Sequence, residues 1–305
     1  MGLRVHCGCM RTLPVFFTSQ MVADSGSYSP SASKPQQVVA SWKELGLPLE
    51  LHAPEPVTVA EFSLAHEARF VRAVLEGRQE NGFGNCSPEV AASLPWTSGA
   101  MRSAARHAWK QGGVAVAPCS GFHHAGWDHV SGFCTFNGLM VTAAVLHAEG
   151  ARRVGILDFD MHYCDGTANI ITKLGASKWV HHFTAGRHYG TPSHARLFFQ
   201  RLPEVLKGFA DCEVVLYQAG ADPHVDDPLG GWLTTAQLRE RDELVFRAMR
   251  TMEVPVAWNL AGGYQKEKDG SIPKVLEIHD NTLRACAGVF LTPPTTARRC
   301  PEGRH

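Results

Sequence analysis

From Gly113 onward, short apolar runs alternate with longer stretches in which apolar residues recur at helical spacing. The runs are GVAVAPC (113–119), RRVGILDFD (152–160), KWVHHF (178–183), CEVVLYQAG (212–220) and VPVAWNLAGG (254–263). Their length and their β-branched and aliphatic content predict buried strands. The stretches between them predict helices over 136–150, 166–175, 194–209, 234–252 and 271–288, three of which close on Gly150, Gly175 and Gly288. Apolar strands separated by helices predict an α/β fold in three layers, with a mostly parallel central sheet covered on both faces. Ahead of Gly113 the pattern predicts helices over 35–45, 59–77 and 88–113, and the rest of 13–60 reads as irregular, Pro- and Ser-rich chain. No repeat or boundary interrupts this order. One catalytic-sized domain is expected over 13–291, with a disordered leader at 1–12 (Met10 being an alternative start) and a loose tail at 292–305.

Composition narrows the function classes. The 305 residues are 44% hydrophobic and 19% charged, ordinary for a chain with a sizeable core. The formal net charge is zero, which gives no bulk electrostatic basis for binding nucleic acid or an anionic membrane. No run reaches the ~18 apolar residues of a membrane span, and LPVFF is too short for a secretory core. Nine scattered cysteines, an odd number, point to a reducing cytoplasm. The Cys7–Cys9 pair has no partner pair with which to hold a metal. Oligomeric state is not legible.

Chemistry gathers where the predicted strands end. In parallel sheets, ligands bind beyond the carboxyl ends of the strands. Here VAVAPC runs into SGFHHAGWDHVSGFC, VGILDFD into MHYCDG, VVLYQAG into ADPHVDDPLGG, and VAWNLAGG into YQ. Asp158, Asp160 and His162 fall at every second position, as if sharing one side of a strand. Two acids and an imidazole at a buried strand end are costly unless a cation holds them. Asp160 and His162, with Asp222 from a neighbouring strand, would make a three-ligand site with an open position, as in catalytic zinc centres, although iron(II) takes similar donors. His123 and His124 would hang over that site as proton carriers, with Asp158 and Asp165 as the carboxylates that fix their tautomers. Gly262 and Gly263 would let the backbone approach a ligand and present Tyr264 as a donor to a developing oxyanion.

Taken in order, GFHHAGWDHVSGFCTFN, ILDFDMHYCDGT, YQAGADPHVDDPLGG and LAGGY resemble the histone deacetylase family, including its bacterial acetylpolyamine amidohydrolases, over roughly residues 60–290. The resemblance implies an arginase/deacetylase-type α/β/α sandwich and zinc-dependent hydrolysis of an N-acyl amide. Zinc would sit on Asp160, His162 and Asp222. His124 would be the chief base and acid, His123 its support, and Tyr264 would polarise the acyl carbonyl. Gly132 and Phe133 would form one wall of a substrate tunnel, with His188 near the opposite wall. A potassium ion would lie beside the zinc strand, held partly by backbone oxygens of Asp158, Asp160 and His162. The partner implied is an acyl-lysine protein or a small acylated amine, with no nucleic acid or membrane. The chain departs from the family pattern in places. Cys164 replaces a small glycine, Trp179 or a neighbour stands where a hydroxyl residue often helps hold potassium, and Lys34 stands where arginine is usual. No aspartate lies between Asp24 and Asp128 to grip a peptide backbone, unless Asn81 or Asn85 serves. Two other classes share this pattern in part. A manganese ureohydrolase would need further aspartates and a GGDHS-type loop that the chain lacks, and a non-catalytic acyl-lysine-binding or scaffold module would not need both histidines and Tyr264.

Overall fold

The predicted apolar runs pair side by side, all in parallel. In the computed structural model, which describes residues 10–292, seven strands form one sheet: β1 (Leu13–Phe16), β2 (Leu49–His52), β3 (Val114–Ala117), β4 (Val154–Asp158), β5 (Val180–Thr184), β6 (Val214–Gly220) and β7 (Val256–Ala261). Their order is β2-β1-β3-β7-β6-β4-β5. Cys7, Cys9, most of the expected leader and the tail beyond 292 lie outside the described residues.

Alternation along each strand builds two cores. Val114, Leu157, Val215 and Tyr217 face one side, where they meet Val38 and Trp42 of α1 (Lys34–Glu44), Phe198 of α7 (Ala195–Lys207), Phe246 of α8 (Thr235–Thr251) and Phe290 of α9 (Pro273–Phe290). Ala115, Ile156, Val214 and Leu216 face the other side. There they meet Val71 of α3 (Ala68–Leu75), Ala104 of α4 (Pro88–Gln111), Leu139 of α5 (Gly138–Ala148) and Ile170 of α6 (Asp165–Leu174). Strands buried on both faces lose the apolar–polar alternation that marks half-exposed strands, which is why they read as continuous apolar runs.

Three expectations are corrected. Residues 13–60 are not irregular throughout, because they hold β1 and β2, paired in register from Leu13↔Leu49 to Phe16↔His52. Each has only four residues, too few for a period to show. The helix predicted over 59–77 is broken into α2 (Val59–Phe62) and α3. Thr58 and Glu61 form a capping box that starts α2. In the gap, the fully buried His66 bonds the Gly126 carbonyl through Nδ1 (2.8 Å) and accepts from the Asn137 N–H at Nε2 (2.9 Å). Finally, β4 stops at Asp158, so Asp160 and His162 stand in the turn beyond it rather than on the strand.

His66 must stay neutral to keep both bonds, and burial pushes its pKa down to about 4. The unfolded chain takes up this proton below about 6.5, while the folded chain does so only near 4. Stability should therefore fall as pH drops from about 6.5 to 4, by up to ~3 kcal/mol from this residue, and level off below. Denaturant midpoints of the wild type and His66→Gln, measured at pH 7 and pH 4.5, should show a flatter pH dependence in the variant.

Candidate active site

Because all seven strands run the same way, the ends of β3, β4, β6 and β7 open onto one edge. The turn after β4 is wound by its own carboxylates. Asp160 N–H donates to Asp158 Oδ1 and His162 N–H to Asp160 Oδ1, both at 2.9 Å. A buried cation beneath holds this turn against the end of β6. Arg241 of α8 donates through Nη1 to the carbonyls of Phe159 (3.1 Å) and Gly220 (2.8 Å). Arg241 Nε donates to Asp242 (2.8 Å), which also accepts from the Tyr217 hydroxyl and, at 2.6 Å, from Thr282 Oγ1.

Asp160, His162 and Asp222 converge on that edge with their donor atoms within 4.8 Å of one another. His162 Nδ1 lies 3.2 Å from Asp160 Oδ1 and 3.1 Å from Asp222 Oδ2. Both carboxylates are buried. Burial and repulsion from Asp160 push Asp222 up to about 7. Burial would raise Asp160 as well, but His123 and His162 hold it below the usual carboxylate range. Hydrogen bonds to both carboxylates lift His162 to about 10. The triad thus concentrates negative charge that an imidazolium only partly offsets. Two oxygens and one nitrogen in this arrangement fit a divalent ion such as zinc. The approach depends on Gly262, with φ +51°, where a Cβ would lie 2.1 Å from Asp222 Cγ.

Around the triad stand the expected proton carriers. His123 Nδ1 is 3.0 Å from Asp158 Oδ2, which also accepts from Gln218 Nε2 at 2.9 Å. Burial opposes charge on His123, yet Asp160 and Asp158 lift its pKa to about 9. His124 Nδ1 bonds Asp165 Oδ1 at 2.6 Å, while burial and the neighbouring His123 push its pKa down. The adjacent histidines are therefore set apart, one toward the cation and one toward the free base. Burial, with Asp222 and Asp160 nearby, keeps the Tyr264 hydroxyl protonated. Gly132, at φ +51°, packs against the His124 ring, where a Cβ would be 2.5 Å from Cδ2. Phe133 follows, also with positive φ, and its ring centroid is 5.9 Å from that of Tyr264. Gly263 leads into Tyr264, whose N–H donates to Asp227 at 2.8 Å.

Not every expected residue joins the group. His188 is exposed and stacks on Phe183 (5.7 Å). Asn81 and Asn85 bond each other at 2.8 Å within their own loop. Trp179, expected near potassium, stacks on His147 at the opposite end of β5, and it is Thr184 that pairs with Asp158. Beside Asp158 the thiol of Cys164 lies 2.8 Å from His182 Nε2.

Two contributors escape sequence reading, and a third, Lys34, is legible only as a departure from the family pattern. Arg241 looks like one charge among many in RERDE. Tyr28, in the segment read as irregular, stacks on Tyr264 (6.2 Å, 9°) and is itself braced by Lys266, which donates to its carbonyl at 2.6 Å. Lys34 is fully buried and donates to the Gly262 carbonyl. Burial pushes its pKa down to about 8 against the pull of Asp222 and Asp160.

The sequence profile of the histone deacetylase domain matches residues 30–183 and 177–276. The chain belongs to the histone deacetylase family. Within it, the chain is 26% identical over 273 residues to an uncharacterized protein of Picosynechococcus sp., covering 80% of this chain and 87% of that one. It is 25% identical over 194 residues to the acetylpolyamine amidohydrolase of Mycoplana ramosa, spanning 54% of each. The fold superposes on the crystal structure of the HDA15 HD domain with a TM-score of 0.73, at 19% identity and over 94% of this chain and 91% of that one. On the acetylpolyamine aminohydrolase of Burkholderia pseudomallei the TM-score is 0.70, at 18% identity, over 91% and 99% respectively. The arginase/deacetylase-type sandwich is thereby the fold of this chain. Among the described residues, no helix is long and apolar enough to cross a membrane.

Gly262→Ala should displace Asp222 and cut bound divalent metal by at least about tenfold, through strain at a positive φ and the collision itself. Metal analysis of the purified variant, with its circular dichroism unchanged, checks this.

Proposed function

We propose that this protein is a zinc-dependent deacylase that hydrolyses the amide of an N-acylated amine, such as acetyl-lysine or an acetylated polyamine. The observation that carries the reading is the Asp160–His162–Asp222 triad, its two carboxylates buried, faced by a pair of histidines with divergent proton affinities and by a protonated Tyr264. The Mycoplana ramosa relative is named for acetylpolyamines, and an Arabidopsis thaliana relative, 29% identical over 189 residues, is a histone deacetylase. These names support an acylated amine as the substrate class. A cytoplasmic location accords with the cysteine usage.

Bound to Asp160, His162 and Asp222, zinc would supply Lewis acidity toward the acyl oxygen and toward water. His124, held neutral and oriented by Asp165, has Nε2 free to take the proton of the attacking water. His123, lodged between Asp158 and Asp160, contributes positive charge beside the reacting carbon. Tyr264 donates its hydroxyl hydrogen bond to the oxygen that becomes negative as the carbonyl turns tetrahedral. His124 then delivers its proton to the departing nitrogen. The products are a carboxylate and a free amine. Gly132 and Phe133 form one wall beside the His124 ring and Tyr264, which limits water around the acyl group.

The test is turnover of a fluorogenic acetyl-lysine peptide and of an acetylated polyamine by zinc-loaded protein, with loss on chelation and recovery on adding zinc back. Tyr264→Phe should lower kcat about 10²-fold or more with metal content unchanged. Asp222→Ala should lose both metal and turnover. Full activity in Tyr264→Phe would remove that hydroxyl from the reaction.

A further inference from the structure

A second group of metal-ligating side chains lies next to the triad and shares none of its members. His123, Asp158 and Cys164 bring a ring nitrogen, a carboxylate oxygen and a sulfur within 4.8 Å of one another, and all three residues are buried. The Cys164 sulfur also lies 2.8 Å from His182 Nε2. We propose that Cys164, His182 and Asp158 form a second metal site, selective for thiophilic divalent ions such as zinc and cadmium. Its donors are side chains, not the backbone oxygens expected to hold potassium.

Sheet register and one helix start bring these donors together. Thr184 of β5 pairs with Asp158 of β4, and His182 pairs with Ile156. Paired neighbours and residues two apart on a strand point to the same face, so His182 and Asp158 emerge on one side of the sheet. Cys164, the N-cap residue of α6, meets them there, with its N–H on Thr184 Oγ1 at 3.4 Å. Asp158 is hydrogen-bonded to the same thiol. The sulfur and the His182 ring have no part in the hydrolytic scheme above. His123 does, and its Nε2 faces Asp160 at 3.7 Å, so the imidazole ligand is assigned to His182.

Thiolate, imidazole and carboxylate are the donors that zinc takes. A sulfur ligand favours such ions over magnesium or calcium, which bind oxygen. At bond lengths of about 2.3 Å to sulfur and ~2.0 Å to nitrogen, a tetrahedral ion holds those two atoms roughly 3.5 Å apart. The observed 2.8 Å must then open by about 0.7 Å. His182 can yield that distance, because β5 is an edge strand and the ring is only half-buried. The same exposure gives an ion its way in, whereas Asp158 and Cys164 are fully buried. Binding releases the thiol proton to water. The filled site would tie β5 and α6 to the end of β4.

The experiment is a cadmium titration of the full chain carrying Cys7→Ser, Cys9→Ser, Cys86→Ser and Cys300→Ser, so that every remaining thiol is a buried one. Elemental analysis after dialysis should find about two ions per chain, and the ultraviolet charge-transfer band of a cadmium–thiolate bond should grow with one of them. Cys164→Ser should lose the band and about one ion, and His182→Gln, at a half-buried edge position that tolerates the change, should do the same. Adding Asp222→Ala instead should empty the triad yet keep the band. In that protein cadmium should raise Tm, and His182→Gln should cancel the rise. Uptake without the band, or a band that persists in both folded variants, overturns the site. One ion with the band supports it and counts against the triad instead, so the two metal assignments fail separately.

Discussion

Two carboxylates buried within reach of one imidazole are the constraint around which this molecule is arranged. Asp160 and Asp222 are almost wholly removed from water, and like charges at such a distance in a poor dielectric strongly oppose joint ionisation. A chain that only needed to fold would gain by replacing them with apolar residues. Their retention at the meeting point of β4 and β6 makes sense if a divalent cation completes the group. Much of the surrounding detail follows from holding that charge in place.

The surroundings supply that support from several layers. Arg241 reaches from α8 to the Phe159 and Gly220 carbonyls, fastening the two segments that carry the acids. Its own charge is matched by Asp242, which Tyr217 and Thr282 also bond. Lys34 brings a second buried cation to the Gly262 carbonyl from α1, on a distant part of the chain. Each partner satisfies a group that would otherwise be stranded without water. The same electrostatics separates the two histidines, because His123 lies against the acids and His124 against His123.

Much of this was legible along the chain, for reasons that differ residue by residue. The central strands were readable because burial on both faces demands unbroken apolar runs, and the helices because their apolar stripes keep helical spacing. The converging acids and histidines were readable because parallel strands put their carboxyl ends on one edge. β1 and β2 were not, being four residues each. The break between α2 and α3 was hidden because His66 bonds groups 60 and 71 positions away. The stack of Tyr28 on Tyr264 and the emergence of His188 into solvent likewise depend on how loops close, which no local pattern encodes.

The sequence by itself determined the fold class, the shared edge and the identity of the residues gathered there, since hydrophobic period and chain direction are local properties that every packing must obey. Tertiary structure alone decided which neighbours those residues have. It set Arg241 beneath the acids, placed the Cys164 thiol against His182, and brought Lys34 from α1 to the Gly262 carbonyl. Such contacts arise between segments far apart in the chain. Their energies depend on distance and exclusion of water, and those quantities exist only once the layers have closed.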